Sequence, residues 1–309
     1  MTASSETAPE ILICDVGPRD GLQSEERIWS IDERVHLINQ IAISGVRRLE
    51  AVSFVNPKRV PQMAGAEEVM AAIKRPDGVQ FAGLALNLRG AERALDSGVD
   101  EVRYVVVASE TFNQRNQGAE VKTTLAEFEV VSNQVAKAGL DLTATVGAAF
   151  GCPFEGEVPV ERVVHIAEQL AGLGASEINL ADTIGAAVPT QVTERVGAVS
   201  AAIGSEVAIS CHFHNTRNIG FANAAAAVNA GVRYLDASLG GIGGCPFAPA
   251  ATGNIGTEDL CFMLRGMGYE TGIDLDRLIE TAKWAETLFE TPLPGQVMKA
   301  GLFPEVTGV

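Results

Sequence analysis

The chain of 309 residues holds only four histidines, and two of them, His212 and His214, stand two apart in the run Ile209-Ser-Cys-His-Phe-His-Asn-Thr. Residues two apart on a β-strand point to the same face, so one divalent metal ion could take both imidazoles at once. Such a pair becomes chemically useful only if an acidic ligand and a reactive group stand beside it. Whether they do depends on how the surrounding elements are arranged.

Those elements are read from a repeated junction. Gly45, Gly78, Gly98, Gly139, Gly174, Gly204 and Gly231 each close a helical pattern and precede an apolar, strand-like run within a few residues. Glycine is the usual residue just past a helix end because it takes left-handed backbone conformations without a Cβ clash. Seven helix-to-strand returns imply eight strands, at roughly 11–17, 47–54, 80–86, 101–109, 141–150, 177–183, 207–215 and 233–239. Between them the apolar residues recur at helical spacing, as with Val35, Ile38 and Ala42, or Val160, Val163, Val164, Ala167 and Leu170. Strict alternation means a parallel sheet, and eight units in about 250 residues suit an α/β fold of the closed (β/α)8 TIM-barrel type, with a doubly wound open sheet as the alternative. Residues 1–9 read as a loose tail and 10–309 as a single catalytic domain. The stretch from about 257 supplies the eighth helix. A C-terminal helical extension (about 270–309), with a further helix around 275–290, serves as a cap or an oligomer contact, so a homo-oligomer is expected.

Composition excludes several functions. A net charge of −16 and a pI near 4.7 argue against general binding to nucleic acid or anionic membrane, both of which need a basic face. Any anionic ligand must be held by local cations. The five cysteines, Cys14, Cys152, Cys211, Cys245 and Cys261, are odd in number and widely spaced, which suits a reducing cytoplasm. No secretion signal and no apolar run of membrane-spanning length is seen.

In a TIM barrel the active site collects at the C-terminal ends of the strands. Arg19 and Asp20 follow strand one, strand two contains Glu50 and ends at Ser53, and strand six ends with Asp182 and Thr183. His212 and His214 end strand seven. Strand eight runs into a glycine-rich loop, Gly240 to Gly244, that carries Cys245 and leads to Asn254. Five strand ends thus converge on one mouth.

The strings Val16-Gly-Pro-Arg-Asp-Gly-Leu-Gln, Ser53-Phe-Val-Asn-Pro-Lys, Gly151-Cys-Pro-Phe-Glu-Gly, Asp182-Thr-Ile-Gly, His212-Phe-His and Gly243-Gly-Cys-Pro-Phe-Ala resemble, in order, the 3-hydroxy-3-methylglutaryl-CoA lyase family of DRE-TIM metallolyases. The resemblance implies a TIM barrel, a magnesium or manganese ion, a CoA thioester substrate, and cleavage to acetyl-CoA and a keto acid. Carried over residue by residue, it makes Asp20, His212, His214 and Asn254 the metal ligands. It assigns catalysis to Arg19, Asp20, Glu50, Asp182, His212, Cys245 and Glu258. Arg19, Gln23, Ser53, Asn179, Thr183 and Arg217 are then expected to face the substrate.

These residue types suit a retro-Claisen cleavage. A carboxylate, two imidazoles and an amide oxygen form a mixed N and O site that leaves positions open for a substrate hydroxyl and carboxylate. Arg19 could stabilise the negative charge that develops on the thioester oxygen, and Cys245, in a loop able to close, could protonate the enolate carbon. The base for the hydroxyl is left open among His212, Asp20 and Glu258.

The blander readings are set beside these. Cys14, Cys211 and Cys261 read as core residues, Cys152 as mainly structural, and His36 and His165 as solvent-facing. The Gly240–Gly244 run lacks the spacing of a dinucleotide fingerprint. Departures from the family pattern touch the acyl end: Thr143 and Thr145 replace an arginine and a tyrosine, Asn179 a serine, and Asn215, Thr216 and Arg217 follow the histidines. The substrate is therefore expected to be 3-hydroxy-3-methylglutaryl-CoA, giving acetoacetate, or a related thioester such as citramalyl-CoA or a longer-chain hydroxyglutaryl-CoA. Acyl transfer from acetyl-CoA to a 2-keto acid and an iron oxygenase are the other enzymatic readings. Lys58, Arg59, Arg115 and Lys122 are the cations on mouth-side loops available to CoA.

Overall fold

The structure is a computed structural model that describes residues 8–244 and 253–303. Eight parallel strands close into one barrel: β1 (Leu12–Asp15), β2 (Arg48–Ser53), β3 (Gln80–Ala85), β4 (Glu101–Val107), β5 (Asp141–Gly147), β6 (Glu177–Asp182), β7 (Ala208–Phe213) and β8 (Tyr234–Ala237). Each strand pairs with the next, and β8 pairs back to β1 from Leu12↔Tyr234 to Asp15↔Ala237. That closure is the TIM barrel expected from the alternation and rules out the open doubly wound sheet. The strands lie inside the expected runs but stop earlier, because the last residues of several runs leave the sheet to build the mouth. After β5, for example, Ala148 turns to a positive φ of 53° and its N–H donates to the Thr183 hydroxyl at 2.9 Å.

The outer layer comprises α1 (Ile31–Ile43), α2 (Ala66–Ala72), α3 (Leu88–Asp96), α4 (Glu110–Gln117), α5 (Val121–Ala138), α6 (Val160–Gly172), α7 (Pro189–Ile203), α8 (Gly220–Asn229) and α9 (Thr257–Gly266). Helix α4 is an extra element between β4 and α5. Beyond them lie α10 (Leu275–Glu286) and the short α11 (Val297–Ala300). Helix α10 buries Leu275, Leu278, Ile279, Ala282 and Ala285, and beside it Trp284 meets Trp29 edge-on with ring centroids 6.3 Å apart. Its apolar face is therefore spent on its own barrel. Among the described residues no helix is long and apolar enough to cross a membrane.

All seven glycine junctions have positive φ. Gly78 differs from the others in that α2 ends well before it, so it turns a loop and does not cap the helix. Gly45 is the most constrained: at φ 90°, an added Cβ would lie 2.5 Å from the Gly272 carbonyl oxygen.

The barrel interior departs from the usual filling of branched apolar side chains. Arg48, at the start of β2, donates from Nε to Glu101 at 2.7 Å, from Nη1 to Glu177 at 2.7 Å and from Nη2 to the Thr143 hydroxyl at 2.9 Å. Above it, Arg103 on β4 donates from Nε to Glu101 and from Nη1 to both oxygens of Asp236, each at 3.1 Å. Asp236 in turn lies 3.3 Å from Nδ1 of His212. A chain of alternating charge therefore climbs from the bottom of the barrel to the histidines.

Gly45→Ala is expected to lose about 2 kcal/mol or more in urea denaturation, from left-handed strain together with a carbonyl that cannot retreat. Gly139→Ala, whose Cβ would meet nothing within 4 Å, should lose only about 1 kcal/mol.

Candidate active site

The mouth starts where β1 stops. The amides of Arg19, Asp20 and Gly21 all donate to the Val16 carbonyl, at 3.1, 2.8 and 3.2 Å, which winds Gly17–Gly21 into a single π-helical turn. Gly17 belongs there because a Cβ would lie 2.9 Å from Oδ1 of Asp15. The turn presents Arg19 and Asp20 to the cavity. Arg19 donates from Nη1 to Asp20 at 2.6 Å and from Nη2 to the buried Glu50 at 2.5 Å, so it is braced on both sides. With only 12% of its side chain exposed, this pairing is no surface ion pair. Burial raises the Glu50 pKa even against the Arg19 charge.

Strand β7 ends at Phe213, one residue short of the second histidine. His214 instead forms an antiparallel bridge with Asn254, and the Asn215 N–H donates to the Gly253 carbonyl at 2.8 Å. This pairing brings Asn254 from the far end of the loop after β8 to the histidines. Nε2 of His212 and Nε2 of His214 each lie 3.9 Å from the same oxygen, Oδ2 of Asp20. Asn254 donates from Nδ2 to that oxygen at 2.9 Å, and its own Oδ1 is buried without a hydrogen-bond partner among the described residues.

Asp20, His212 and His214 offer one oxygen and two nitrogens within 4.8 Å of one another, and they form the one such metal-ligating group among the described residues. With the orphaned amide oxygen of Asn254 beside them, the donor set fits a divalent ion that accepts mixed N and O ligands. Burial would raise the Asp20 pKa, but Arg19 and the two imidazoles outweigh it and hold the carboxyl well below its usual range. Asp236 is likewise held low, chiefly by Arg103 and then His212, against its burial. An ionised Asp236 accepts the Nδ1 proton of His212 and leaves Nε2 free to face Asp20, the usual role of a carboxylate behind a metal-binding histidine.

A cavity of about 160 Å³ opens on this cluster. Of the residues expected from sequence, Arg19, Asp20, Gln23, Glu50, Asn179, Thr183, His212 and His214 line it. Ser53, Asp182, Glu258 and Arg217 stand apart from it. Ser53 is buried, its hydroxyl without a hydrogen-bond partner among the described residues, and does not line the cavity. Asp182 accepts from the Ala186 and Ala187 amides, at 2.8 and 3.2 Å, and thereby holds the loop before α7. Both oxygens of Glu258 accept from the Gly240 amide, at 3.0 and 2.9 Å, which braces the turn leading to the glycine-rich loop. Burial pushes the Glu258 pKa up to about 8. Arg217, expected at the substrate, donates to the Ile184 and Gly185 carbonyls and does not line the cavity, because the exposed loop after β7 carries it outward. Thr143 sits one layer below the cavity on Arg48, whereas Thr145 lines it.

Cys245 lies outside the described residues. Gly244, which precedes it, lines the cavity and accepts from the Ser24 hydroxyl at 3.3 Å. Cys152 accepts the Phe154 and Glu155 amides and contacts the Ser109 hydroxyl, as befits a structural residue. Lys58 and Arg59 are exposed on the loop after β2, Arg115 stacks over Phe154 at 4.1 Å, Lys122 opens α5, and none lines the cavity. Sequence reasoning missed Arg103 and Asp236, and also Phe112 and Asn116 from α4. The signal for the first two was available: a charge within an apolar strand, as in Glu101-Val-Arg-Tyr-Val and Tyr234-Leu-Asp-Ala, marks a side chain that needs a buried partner.

Fold and mouth together define a TIM-barrel enzyme with a carboxylate and imidazole cluster suited to a divalent metal. The HMGL-like family pattern matches residues 10–284. The chain is 44% identical to an (R)-citramalyl-CoA lyase of Chloroflexus aurantiacus, over 97% of this chain and 98% of that one. It is 40% identical to a hydroxymethylglutaryl-CoA lyase of Bacillus subtilis, over 93% and 96%. Its fold superposes with a TM-score of 0.92, at 40% identity and over the full length of both chains, on an HMG-CoA lyase of Acinetobacter baumannii in complex with coenzyme A and 3-methylmalate. The chain belongs to the HMGL-like family, and it is a lyase.

Asp236→Asn is expected to weaken Mn2+ binding by about tenfold to a hundredfold, measured by calorimetry, because His212 loses the partner that fixes its ring. For Glu258 the folded pKa lies above the ordinary value, so the native state holds the extra proton between about pH 4.5 and 8, and the stability this contributes is lost as pH rises through that window. Glu258→Gln should therefore flatten the decline in melting temperature across that range. It should stabilise the protein most at pH 8 and least near pH 5.

Proposed function

We propose that this lyase cleaves the CoA thioester of a 3-hydroxy diacid by metal-assisted retro-Claisen chemistry, with Mg2+ or Mn2+ held by Asp20, His212, His214 and Asn254. The observation that carries the reading is the convergence of Asp20, His212 and His214 with a doubly braced Arg19 on one small cavity. The bound ion would polarise the substrate hydroxyl and lower its pKa. Arg19, fixed by Asp20 and Glu50, faces the position of the thioester oxygen and stabilises the enolate as it forms. The hydroxyl proton passes to Asp20 or His212, both of which line the cavity. Glu258, engaged with the Gly240 backbone, is not placed for that step. Cys245, one residue beyond the cavity-lining Gly244, returns a proton to the enolate carbon to give acetyl-CoA.

The first candidate substrate is 3-hydroxy-3-methylglutaryl-CoA, with acetoacetate as the second product. Citramalyl-CoA is the second candidate, favoured by the 44% identity to a lyase named for it, and it would release pyruvate. The enzyme, stripped with a chelator and reloaded with Mg2+ or Mn2+, is expected to release acetyl-CoA and a keto acid from at least one member of a panel of 3-hydroxydiacyl-CoA esters, read by mass spectrometry. Silence across the whole panel would refute the reading. Cys245→Ala should lower turnover by about a hundredfold or more with Mn2+ affinity unchanged, whereas His214→Ala should lose Mn2+ affinity itself.

A further inference from the structure

The cavity contains a cation that the cleavage chemistry does not use. Arg103 is 2% exposed and lines the cavity. Its Nε is committed to Glu101 and its Nη1 to Asp236, but its Nη2 is buried and has no hydrogen-bond partner among the described residues. An unsatisfied donor on a buried guanidinium is costly, more so than on a neutral group. A carboxylate is the acceptor that matches it in charge and in planar geometry.

The two side chains that already hold Arg103 are themselves shared. Glu101 is also bound by Arg48, and Asp236 is also bound by His212 and by the Asn179 amide at 3.2 Å. Their charge is thus divided among several partners. Asp236 further fixes the distance that matters, since it touches Arg103 at 3.1 Å and His212 at 3.3 Å. The free Nη2 therefore lies a single side chain away from a metal ligand. A short acyl group anchored at the metal site by its hydroxyl could span that interval with its own carboxylate. Leu84 and Val105 on the same walls would take its apolar part.

We propose that Arg103 is the specificity-determining residue that binds the free carboxylate of the acyl half, so that the enzyme accepts hydroxy diacid thioesters and rejects the corresponding monoacids. This rests on the lyase reading for the identity of the substrate, but the pocket itself can be tested by equilibrium binding. The probes are citramalate and its monoamides, titrated by calorimetry into Mn2+-loaded wild-type protein and into Arg103→Met and Arg103→Lys.

Wild type is expected to bind the diacid at least tenfold more tightly than the amide lacking the carboxylate that Arg103 reads. In Arg103→Met, titrated at saturating Mn2+, the preference for the diacid over that amide should disappear, so that the ratio of the two affinities falls to about one. A merely structural role would weaken acid and amide alike, and that result, or an undiminished diacid affinity, would overturn the proposal. Should Arg103→Met fail to fold, Arg103→Lys and a crystal structure of wild type with Mn2+ and citramalate decide the matter. A ligand carboxylate on Nη2 supports the assignment, and one placed elsewhere refutes it. Diacid binding that depends on Arg103, in a protein without turnover on any thioester, would uphold the carboxylate pocket and refute only the cleavage.

Discussion

The ion-paired column inside the barrel is the constraint on which the site depends. Arg48, Glu101, Arg103, Asp236 and His212 are joined in sequence by hydrogen bonds, on strands β2, β4, β8 and β7. Buried pairs of this sort contribute little net stability, because the desolvation of each ion offsets most of the attraction. Their effect is on orientation. Each member has its rotamer fixed by the next, and the last link holds one imidazole ring by Nδ1 so that Nε2 faces Asp20. Removing one member would strand its neighbour as an unpaired buried charge, at a cost of about 3–5 kcal/mol.

Around that column the mouth divides its work between residues that face the cavity and residues that hold the loops. Asp182 and Glu258 are both buried carboxylates at strand or helix ends, and either could pass for an acid or base by type alone. Their oxygens are occupied by backbone amides of Ala186, Ala187 and Gly240. A carboxylate that fixes a loop this way can influence turnover strongly without touching a reacting atom. Glu258 in particular sets the turn from which the chain runs toward Cys245.

The barrel was legible in the sequence because its signals are local. Glycine at a left-handed junction and alternation of strand and helix both follow from backbone sterics, and both fell where expected. The candidate metal cluster was legible through two histidines at strand spacing and through motif resemblance. Arg103 and Asp236 were not, because their partners are distant in sequence and only the register of a closed barrel brings β4 beside β8 across its axis. Arg217 was misplaced for a related reason. A cation close to a metal histidine in sequence was expected to be close in space, but β7 ends at Phe213 and the chain turns outward after His214.

The bridge between His214 and Asn254 ties the candidate metal site to the polypeptide on the return side of the β8 loop, while Gly244 ties the outgoing side to the cavity wall through Ser24. An ion that recruits the Asn254 oxygen would thus join the end of β7 to the chain that enters α9. Metal affinity and folding stability would then be coupled through one backbone bridge, so that loosening either would loosen the other.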